Sequence, residues 1–96
     1  MDRLAFTWDD RKERDNRLKH GISFEEAVTA FADENARLKH DPDHGDDEDR
    51  FILLGFSVRI RLLVVVHAYR EEEMEIRIIS ARKVTRNESK QYGKFL

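Results

Sequence analysis

The chain has 96 residues, near the usual size of one domain, and it lacks cysteine, which excludes disulfides, zinc–thiolate sites and thiol nucleophiles. Its formal net charge of −2 conceals an asymmetry, because residues 1–49 hold 8 Lys and Arg against 15 Asp and Glu, whereas residues 50–96 hold 10 against 5. No stretch approaches the roughly 18 apolar residues that a membrane span needs, so we expect one cytoplasmic domain, residues 1–96, with no membrane contact. The basic second half is typical of a surface that meets phosphate or carboxylate.

The first predicted elements are a short strand at residues 6–8 and a polar helix over residues 10–19. Asp10 begins a segment with the spacing of a capping box, and Gly21 is the expected left-handed stop. Leu18 is the only aliphatic residue of this helix. We therefore expect Leu18 to attach the helix to the rest of the protein along one edge.

A second helix follows, and its start is well marked. Ser23 and Glu26 form a second capping box. Glu25, Glu26 and Thr29 are predicted to face water. The apolar stripe that should face a core has the i, i+3, i+4, i+7 spacing of Phe24, Ala27, Val28 and Phe31.

The remaining elements are mainly strands. A short strand is predicted at residues 35–39, and residues 41–49 are predicted to be an acidic loop. Thr85 and Glu88 mark a short terminal helix that carries Tyr92. The fold class is therefore α+β, with two N-terminal helices, an antiparallel β-meander of three to four strands, and a short C-terminal helix. Three apolar runs form the meander, at residues 51–58, 62–68 and 76–81.

The tightest hairpins that these runs permit place the basic side chains on defined faces. If the first hairpin turns at Arg59-Ile60 and the second around Glu72-Glu73, strict alternation puts Arg61 and Arg82 on one face, near the same end. His67 shares that face, further along the strand. Two guanidinium groups on adjacent strands could then hold one phosphate through paired N–H donors.

The sequence resembles the BrnT toxins of bacterial type II toxin–antitoxin modules. The resemblance runs from about Phe6 to Tyr92. Ile60 stands where relatives commonly have Gly, and His67 where Tyr is frequent. Its most specific parts are the strings KHGISFEEA (residues 19–27) and RIISARK (residues 77–83), with Trp8-Asp9, Asn16, Asp41, His44, Glu48, Arg50-Phe51, Gly55, Ser57 and Arg61 at matching positions.

The resemblance implies a RelE-like fold and an endoribonuclease that inhibits translation and growth. It also implies a cognate antitoxin of the ribbon-helix-helix-like BrnA type, which neutralises the toxin and through which the complex represses its own operator DNA. No cofactor and no metal ion are expected.

Metal-free RNA cleavage uses the substrate's 2′-hydroxyl as the nucleophile and leaves 2′,3′-cyclic phosphate and 5′-hydroxyl ends. The protein must move two protons and stabilise the added negative charge. Arginine suits the last task because it stays protonated and its planar fork matches a phosphate. The predicted catalytic residues are Arg61, Arg77, Arg82, His67 and Glu48, and the predicted RNA-binding residues are Lys83, Arg50, His20 and Tyr92.

Each of these residues also has an ordinary structural interpretation. The arginines could pair with glutamates, and for Arg77 a pair with Glu75 is equally probable. A single strand histidine such as His67 is more often a packing residue than a base, and His20 has the position of a helix cap. Tyr92 could pack its helix onto the sheet. The acidic loop at residues 41–49 departs from the calcium-loop template, because Asp46 stands where that template needs Gly.

Two other functions remain open on sequence grounds. The same fold could be a non-catalytic module whose open sheet face docks a partner chain, or a RelE-like toxin that acts on DNA topology. Growth arrest with loss of RNA would favour the ribonuclease.

Overall fold

The three late apolar runs pair as neighbouring antiparallel strands, and two short segments extend the sheet on either side. The computed structural model describes residues 5–42, 49–70, 72 and 74–93. The elements are β1 (Ala5–Thr7), α1 (Asp10–His20), α2 (Phe24–Thr29), a 3₁₀ turn (Ala30–Ala32), β2 (Arg37–His40), β3 (Arg50–Phe56), β4 (Leu62–Arg70), β5 (Glu75–Lys83) and α3 (Arg86–Gly93).

The sheet has the strand order β1-β5-β4-β3-β2. The α+β class, the two N-terminal helices and the short C-terminal helix are confirmed. The predicted antiparallel meander of three to four strands is too small, because the sheet has five strands and is mixed. β1 pairs with β5 in parallel, while the other three pairings are antiparallel.

Helix α1 is attached by a buried amide rather than by its aliphatic residue. Leu18 is 79% exposed, whereas Asn16 is 8% exposed. The Asn16 amide donates to Ala81 O at 2.8 Å and accepts from Ala81 N at 3.1 Å, so it satisfies the backbone of β5 beyond the end of β1. The N-cap is Asp9 rather than the predicted Asp10, and Gly21 ends the helix at φ 73°.

Helix α2 begins at the predicted cap, where Ser23 Oγ accepts from Glu26 N at 3.1 Å. It is only one and a half turns long before the 3₁₀ turn takes over. β3 passes close beneath that turn at Gly55, where a Cβ would lie 2.9 Å from the carbonyl oxygen of Ala30. The prediction that Glu26 faces water is wrong, because this carboxylate is 6% exposed.

The larger hydrophobic core lies between α2 and one side of the sheet, which we call the helical face. Its buried residues include Ile22, Phe24, Ala27, Leu53, Leu63, Val65, Ile78 and Ala81. A smaller cluster on the opposite side joins Tyr92 of α3 to Leu54 and Val64. α3 starts at the predicted capping box, where Glu88 N donates to Thr85 Oγ1 and Thr85 N donates to Glu88 Oε1.

The first hairpin is one residue longer than predicted. Ser57 N donates to Arg61 O and Ile60 N donates to Ser57 O, both at 2.9 Å, so the loop has three residues instead of two. Ile60 takes φ 60°, the left-handed conformation that a loop of this length requires at its third position. The extra residue shifts the β3–β4 register by one, so Leu54 faces Val64 and the predicted alternation between these strands is wrong.

The second hairpin keeps the predicted register near its turn, where Arg70 pairs with Glu75. The register then shifts by one at Val66/His67, across a β-bulge. A bulge inserts one residue into a strand and exchanges the two faces beyond it. Arg77 and Arg82, five residues apart, consequently point to the same side of β5.

Candidate functional site

Six basic residues of the described chain lie on the side of the sheet opposite the helical face, and one of them, Arg70 at the end of β4, is paired there with Glu75 at 3.6 Å. Cross-strand partners in an antiparallel sheet share a face. The register joins the other five in rows across the strands: Arg37 to Leu54, Lys39 to Ile52, Arg50 to Ala68, Ala68 to Arg77, and Val64 to Arg82. We call this side, defined by Arg37, Lys39, Arg50, Arg77 and Arg82, the cationic face.

An apolar floor lies between these cations. Its four residues are Ile52 and Leu54 of β3 and their partners Val66 and Val64 of β4. The floor, the β2 cations and α3 enclose a hollow of about 400 Å³. The cationic face therefore offers apolar contact in its centre and positive charge around its edge.

Arg50 and Arg77 flank Ala68 on the cationic face. They are two strands apart, so their backbones are about 9.6 Å from each other. The side chain of Ala68 between them is only a methyl group, so both guanidinium groups can reach a ligand that lies above it. Within the part of the chain that the structure describes, the buried Nε of Arg50 has no hydrogen-bond partner. Two guanidinium groups so placed can bind one phosphate from both sides.

Arg82 stands at the end of the cationic face where α3 packs. Its two terminal nitrogens donate to the two carboxylate oxygens of Glu88, each at 2.8 Å. These hydrogen bonds lower the pKa of Glu88 to about 2, and they raise the pKa of Arg82. Glu88 is thus a permanent anion and a poor proton acceptor at neutral pH.

Arg61 lies on the other side of the sheet, so its predicted convergence with Arg82 is wrong. Its side chain bonds both carboxylate oxygens of Glu26 in α2, with Nε donating to Oε2 at 2.8 Å. Ser57 Oγ also donates to Glu26, at 2.7 Å. The Arg61 hydrogen bonds, with help from Ser57, lower the pKa of Glu26. This network fastens the β3–β4 hairpin to α2.

His67 also points to the helical face, where Phe51 is its cross-strand partner. The residue is 4% exposed, and its ring contacts Phe31 at a centroid distance of 4.8 Å. Burial lowers the pKa of His67, and a contact of 3.1 Å between Nδ1 and Val65 O partly opposes that effect. The predicted sharing of a face with Arg82 is wrong, and the geometry favours the packing interpretation.

A family model described as "Ribonuclease toxin, BrnT, of type II toxin-antitoxin system" matches residues 8–88. The chain belongs to the BrnT family. Its fold is similar to that of the Brucella abortus ribonuclease toxin BrnT, solved by crystallography at 1.1 Å, with a TM-score of 0.58 over 86% of this chain and 99% of that chain at 23% sequence identity. No curated protein matches the chain. Family membership identifies a ribonuclease toxin and implies an RNA substrate and an antitoxin partner.

Of four further predicted site residues, two lie away from the cationic face, one is buried against its floor beside Leu54 and Val64, and one lies outside the described ranges. Lys83 pairs with Leu63 of the helical face. His20 is the last residue of α1, which packs against β5. Tyr92 is 7% exposed and donates to Asp33 at 2.7 Å, so it packs α3 instead of presenting a ring to a base. Glu48 lies outside the described residues.

Two cations of the cationic face were missed by the sequence interpretation of this BrnT chain. Arg37 and Lys39 alternate with Leu38 and His40 in β2, and that alternation was visible in the sequence as a strand with one basic side. The bulge that brings Arg77 and Arg82 together has no comparable signal, since the surrounding residues are ordinary strand formers.

The described part of this BrnT chain contains neither a cluster of three metal-ligating side chains nor a helix that could span a membrane. Across residues 5–42, 49–70, 72 and 74–93, no three His, Asp or Glu side chains converge as metal ligands. Within the same ranges, no helix has the length and hydropathy required to cross a bilayer.

Proposed function

We propose that this BrnT-family toxin is a metal-independent endoribonuclease that binds RNA on its cationic face. The observation that carries the proposal is the gathering of six basic residues of the described chain on one side of the sheet, five of them around an apolar floor. Phosphate contacts supply most of the affinity of a protein for a nucleic acid backbone. The whole chain, residues 1–96, acts as one toxin domain in this proposal.

Arg50 and Arg77 are proposed to hold the phosphate that is cleaved. The 2′-hydroxyl loses its proton as its oxygen bonds to the adjacent phosphorus, the bond from phosphorus to the 5′ oxygen breaks, and that oxygen takes up a proton from water. The products carry 2′,3′-cyclic phosphate and 5′-hydroxyl ends. Guanidinium groups from β3 and β5 stabilise the negative charge that develops on the phosphate oxygens. Arg82 pairs with Val64, four residues or about 13 Å along β4 from Ala68, so it is proposed to bind a neighbouring phosphate of the RNA once that phosphate displaces Glu88.

The 2′-hydroxyl needs a proton acceptor on or beside the cationic face. His67 and Glu26 lie on the helical face, and Glu88 is too weak a base at a pKa of about 2. Glu48, which precedes Arg50 by two residues in the chain, is the remaining predicted base. We propose that charge stabilisation by the arginines supplies most of the rate enhancement.

The biological setting follows from the family. We propose that the toxin inhibits translation and growth and that a ribbon-helix-helix-like antitoxin of the BrnA type neutralises it. Contact with operator DNA is made only through the toxin–antitoxin complex. Coverage of the cationic face by the antitoxin would explain neutralisation, because the same cations would then be unable to bind RNA.

Cleavage of a 5′-labelled RNA by purified, antitoxin-free protein in the presence of EDTA tests the activity. We expect fragments whose ends are 2′,3′-cyclic phosphate and 5′-hydroxyl. Replacing Arg77→Ala should lower kcat/KM by about 100-fold or more, the size of effect seen when one oxyanion-stabilising donor is removed. The far-ultraviolet circular dichroism spectrum should stay unchanged.

The matched control is Arg59→Ala, which removes the same charge from the exposed tip of the first hairpin. It should change kcat/KM by less than about threefold, through the general field alone. Equal losses in both variants would contradict the assignment to the cationic face, and intact RNA with the wild-type protein would contradict the activity.

A further inference from the structure

The hollow between β2 and α3 has a composition that the binding of phosphates does not explain. Its floor is aliphatic, and its lining includes Gln91 on α3. We propose that this hollow binds a purine base of the RNA, next to the phosphate held by Arg50 and Arg77. The proposal rests on the proposed function and extends it to the recognition of a base.

Tyr92 packs on Leu54 and Val64, which are 7% and 4% exposed, so the open part of the aliphatic floor is formed mainly by Ile52 and Val66. Leu54 and Val64 face each other across β3 and β4, as do Ile52 and Val66. The two pairs lie on neighbouring strands about 4.8 Å apart and are separated along each strand by about 6.6 Å. A bicyclic purine makes more contact with the aliphatic lining of a hollow of about 400 Å³ than a pyrimidine does, so it removes more apolar surface from water.

The walls of the hollow offer polar groups to the edge of the base. Arg37 and Lys39 stand on the β2 side, and Gln91 stands on the α3 side. A glutamine amide has a donor and an acceptor side by side, which matches the adjacent donor and acceptor on a base edge. Glu88 is less suited because its carboxylate already accepts from Arg82 and from Thr85 N.

The distance from the floor to the arginine pair fits one nucleotide. Val66 of the floor and Ala68 between the two arginines are two residues apart on β4, a step of about 6.6 Å. A nucleotide can therefore place its base on the floor while its phosphate lies between Arg50 and Arg77. The position of the base would then decide which phosphate enters the site.

Titration of the purified chain with three small molecules tests this site. Binding is monitored by two-dimensional NMR of the Ile, Leu and Val methyl groups. The probes are adenosine 5′-monophosphate, uridine 5′-monophosphate and ribose 5-phosphate. We expect adenosine 5′-monophosphate to bind about tenfold more tightly than ribose 5-phosphate, as contact with a base face provides. Uridine 5′-monophosphate should lie between them, and the methyl signals of Ile52 and Val66 should shift.

Two substitutions test whether the base binds in the hollow. Val66→Phe fills the hollow and should reduce binding of adenosine 5′-monophosphate to the level of ribose 5-phosphate. Gln91→Ala, at an exposed position of α3, should weaken nucleotide binding while ribose 5-phosphate is unaffected, and it covers the case in which Val66→Phe does not fold. The matched control Val58→Phe, at a hairpin residue that is 74% exposed, should change nothing.

The outcomes separate this proposal from the proposed activity. Equal affinity for all three probes would overturn the base site, as would equal losses in Val66→Phe and Val58→Phe, even if RNA is cleaved. Uridine 5′-monophosphate binding as tightly as adenosine 5′-monophosphate would overturn the preference for purines. Selective binding of adenosine 5′-monophosphate by a protein that leaves RNA intact would overturn the nuclease and leave the base site standing.

Discussion

The two faces of the sheet each contain an arginine that is paired with a glutamate of a helix, but the two pairs differ in burial. In the pair of Arg61 and Glu26 on the helical face, the side chains are 28% and 5% exposed. In the pair of Arg82 and Glu88 on the cationic face, they are 38% and 29% exposed. Water reaches the second pair more readily, so an RNA phosphate can replace Glu88 there at a lower cost than any anion could replace Glu26.

An arginine–glutamate pair therefore stabilises the fold on the helical face, whereas on the cationic face an RNA phosphate can take the place of the glutamate. On the helical face, Ser57 adds a further hydrogen bond to Glu26 and the network closes. On the cationic face, Arg82 is one of six basic residues in the described chain, and α3 supplies the opposing carboxylate. Four experiments address this contrast, in order of decreasing effect.

The substitution Glu26→Ala should give the largest loss of stability. It leaves the Arg61 guanidinium and the Ser57 hydroxyl without their partner on the helical face, and we expect the free energy of unfolding to fall by about 3 kcal/mol. Urea denaturation measures the change. The adjacent exposed residue provides the control, since Glu25→Ala should cost less than about 0.5 kcal/mol. Similar losses in the free energy of unfolding for the two variants would contradict a structural role of the buried pair.

Buried His67 should make the helical face sensitive to acid. Its pKa in the folded protein is lowered by burial from the ordinary value of 6.5, so the unfolded chain takes up the proton first. The resulting contribution to stability is present above pH 6.5 and is lost as the pH falls below that value. Urea midpoints measured between pH 7.5 and 5.5, in steps of about half a unit, should fall more for the wild type than for His67→Leu.

The same variant separates packing from catalysis. RNA cleavage by folded His67→Leu should persist, because the ring lies on the face opposite the proposed site. A loss of cleavage with normal stability would return His67 to the catalytic residues.

Replacing Ile60→Gly should stabilise the first hairpin by about 0.5–1 kcal/mol, because glycine adopts a positive φ without the steric cost that a β-branched residue meets. Ile60 is 82% exposed at φ 60°, so little packing is lost. Thermal unfolding measures the gain. Val58→Gly is the control in the same loop and should destabilise the protein, since Val58 has no positive φ. Destabilisation by both changes would contradict strain at Ile60.

The smallest expected effect is on RNA affinity. Glu88→Gln removes the anion opposite Arg82, and we expect affinity for RNA to rise by about twofold to threefold at low salt, with a steeper dependence on salt concentration. The wild-type protein should also lose stability as the pH falls from 4.5 towards about 2, the lowered pKa of Glu88, and the variant should lose less. An unchanged affinity would mean that Glu88 does not compete with phosphate.

Local features of the chain were predictable because they depend on neighbours in the sequence. The caps at Ser23 and Thr85, the left-handed stop at Gly21 and the three long strands all appear where the residues indicated them. Arg50, Arg77 and Arg82 were also predicted from the sequence to bind phosphate, and that role stays a prediction. The ion pair of Arg61 with Glu26 was not predictable, because it joins residues that are 35 positions apart in the chain.

The sequence by itself determined the element types, the basic second half and the arginines available for RNA. Only the tertiary structure decided which of those arginines share a face. One extra residue in the first hairpin and one bulge in β5 each reverse the alternation of side chains, and both are consequences of how strands pair, not of the strand residues themselves. Because the side-chain period of a strand is two, a displacement of one residue was enough to put Arg82 on the face opposite Arg61 and on the same face as Arg77.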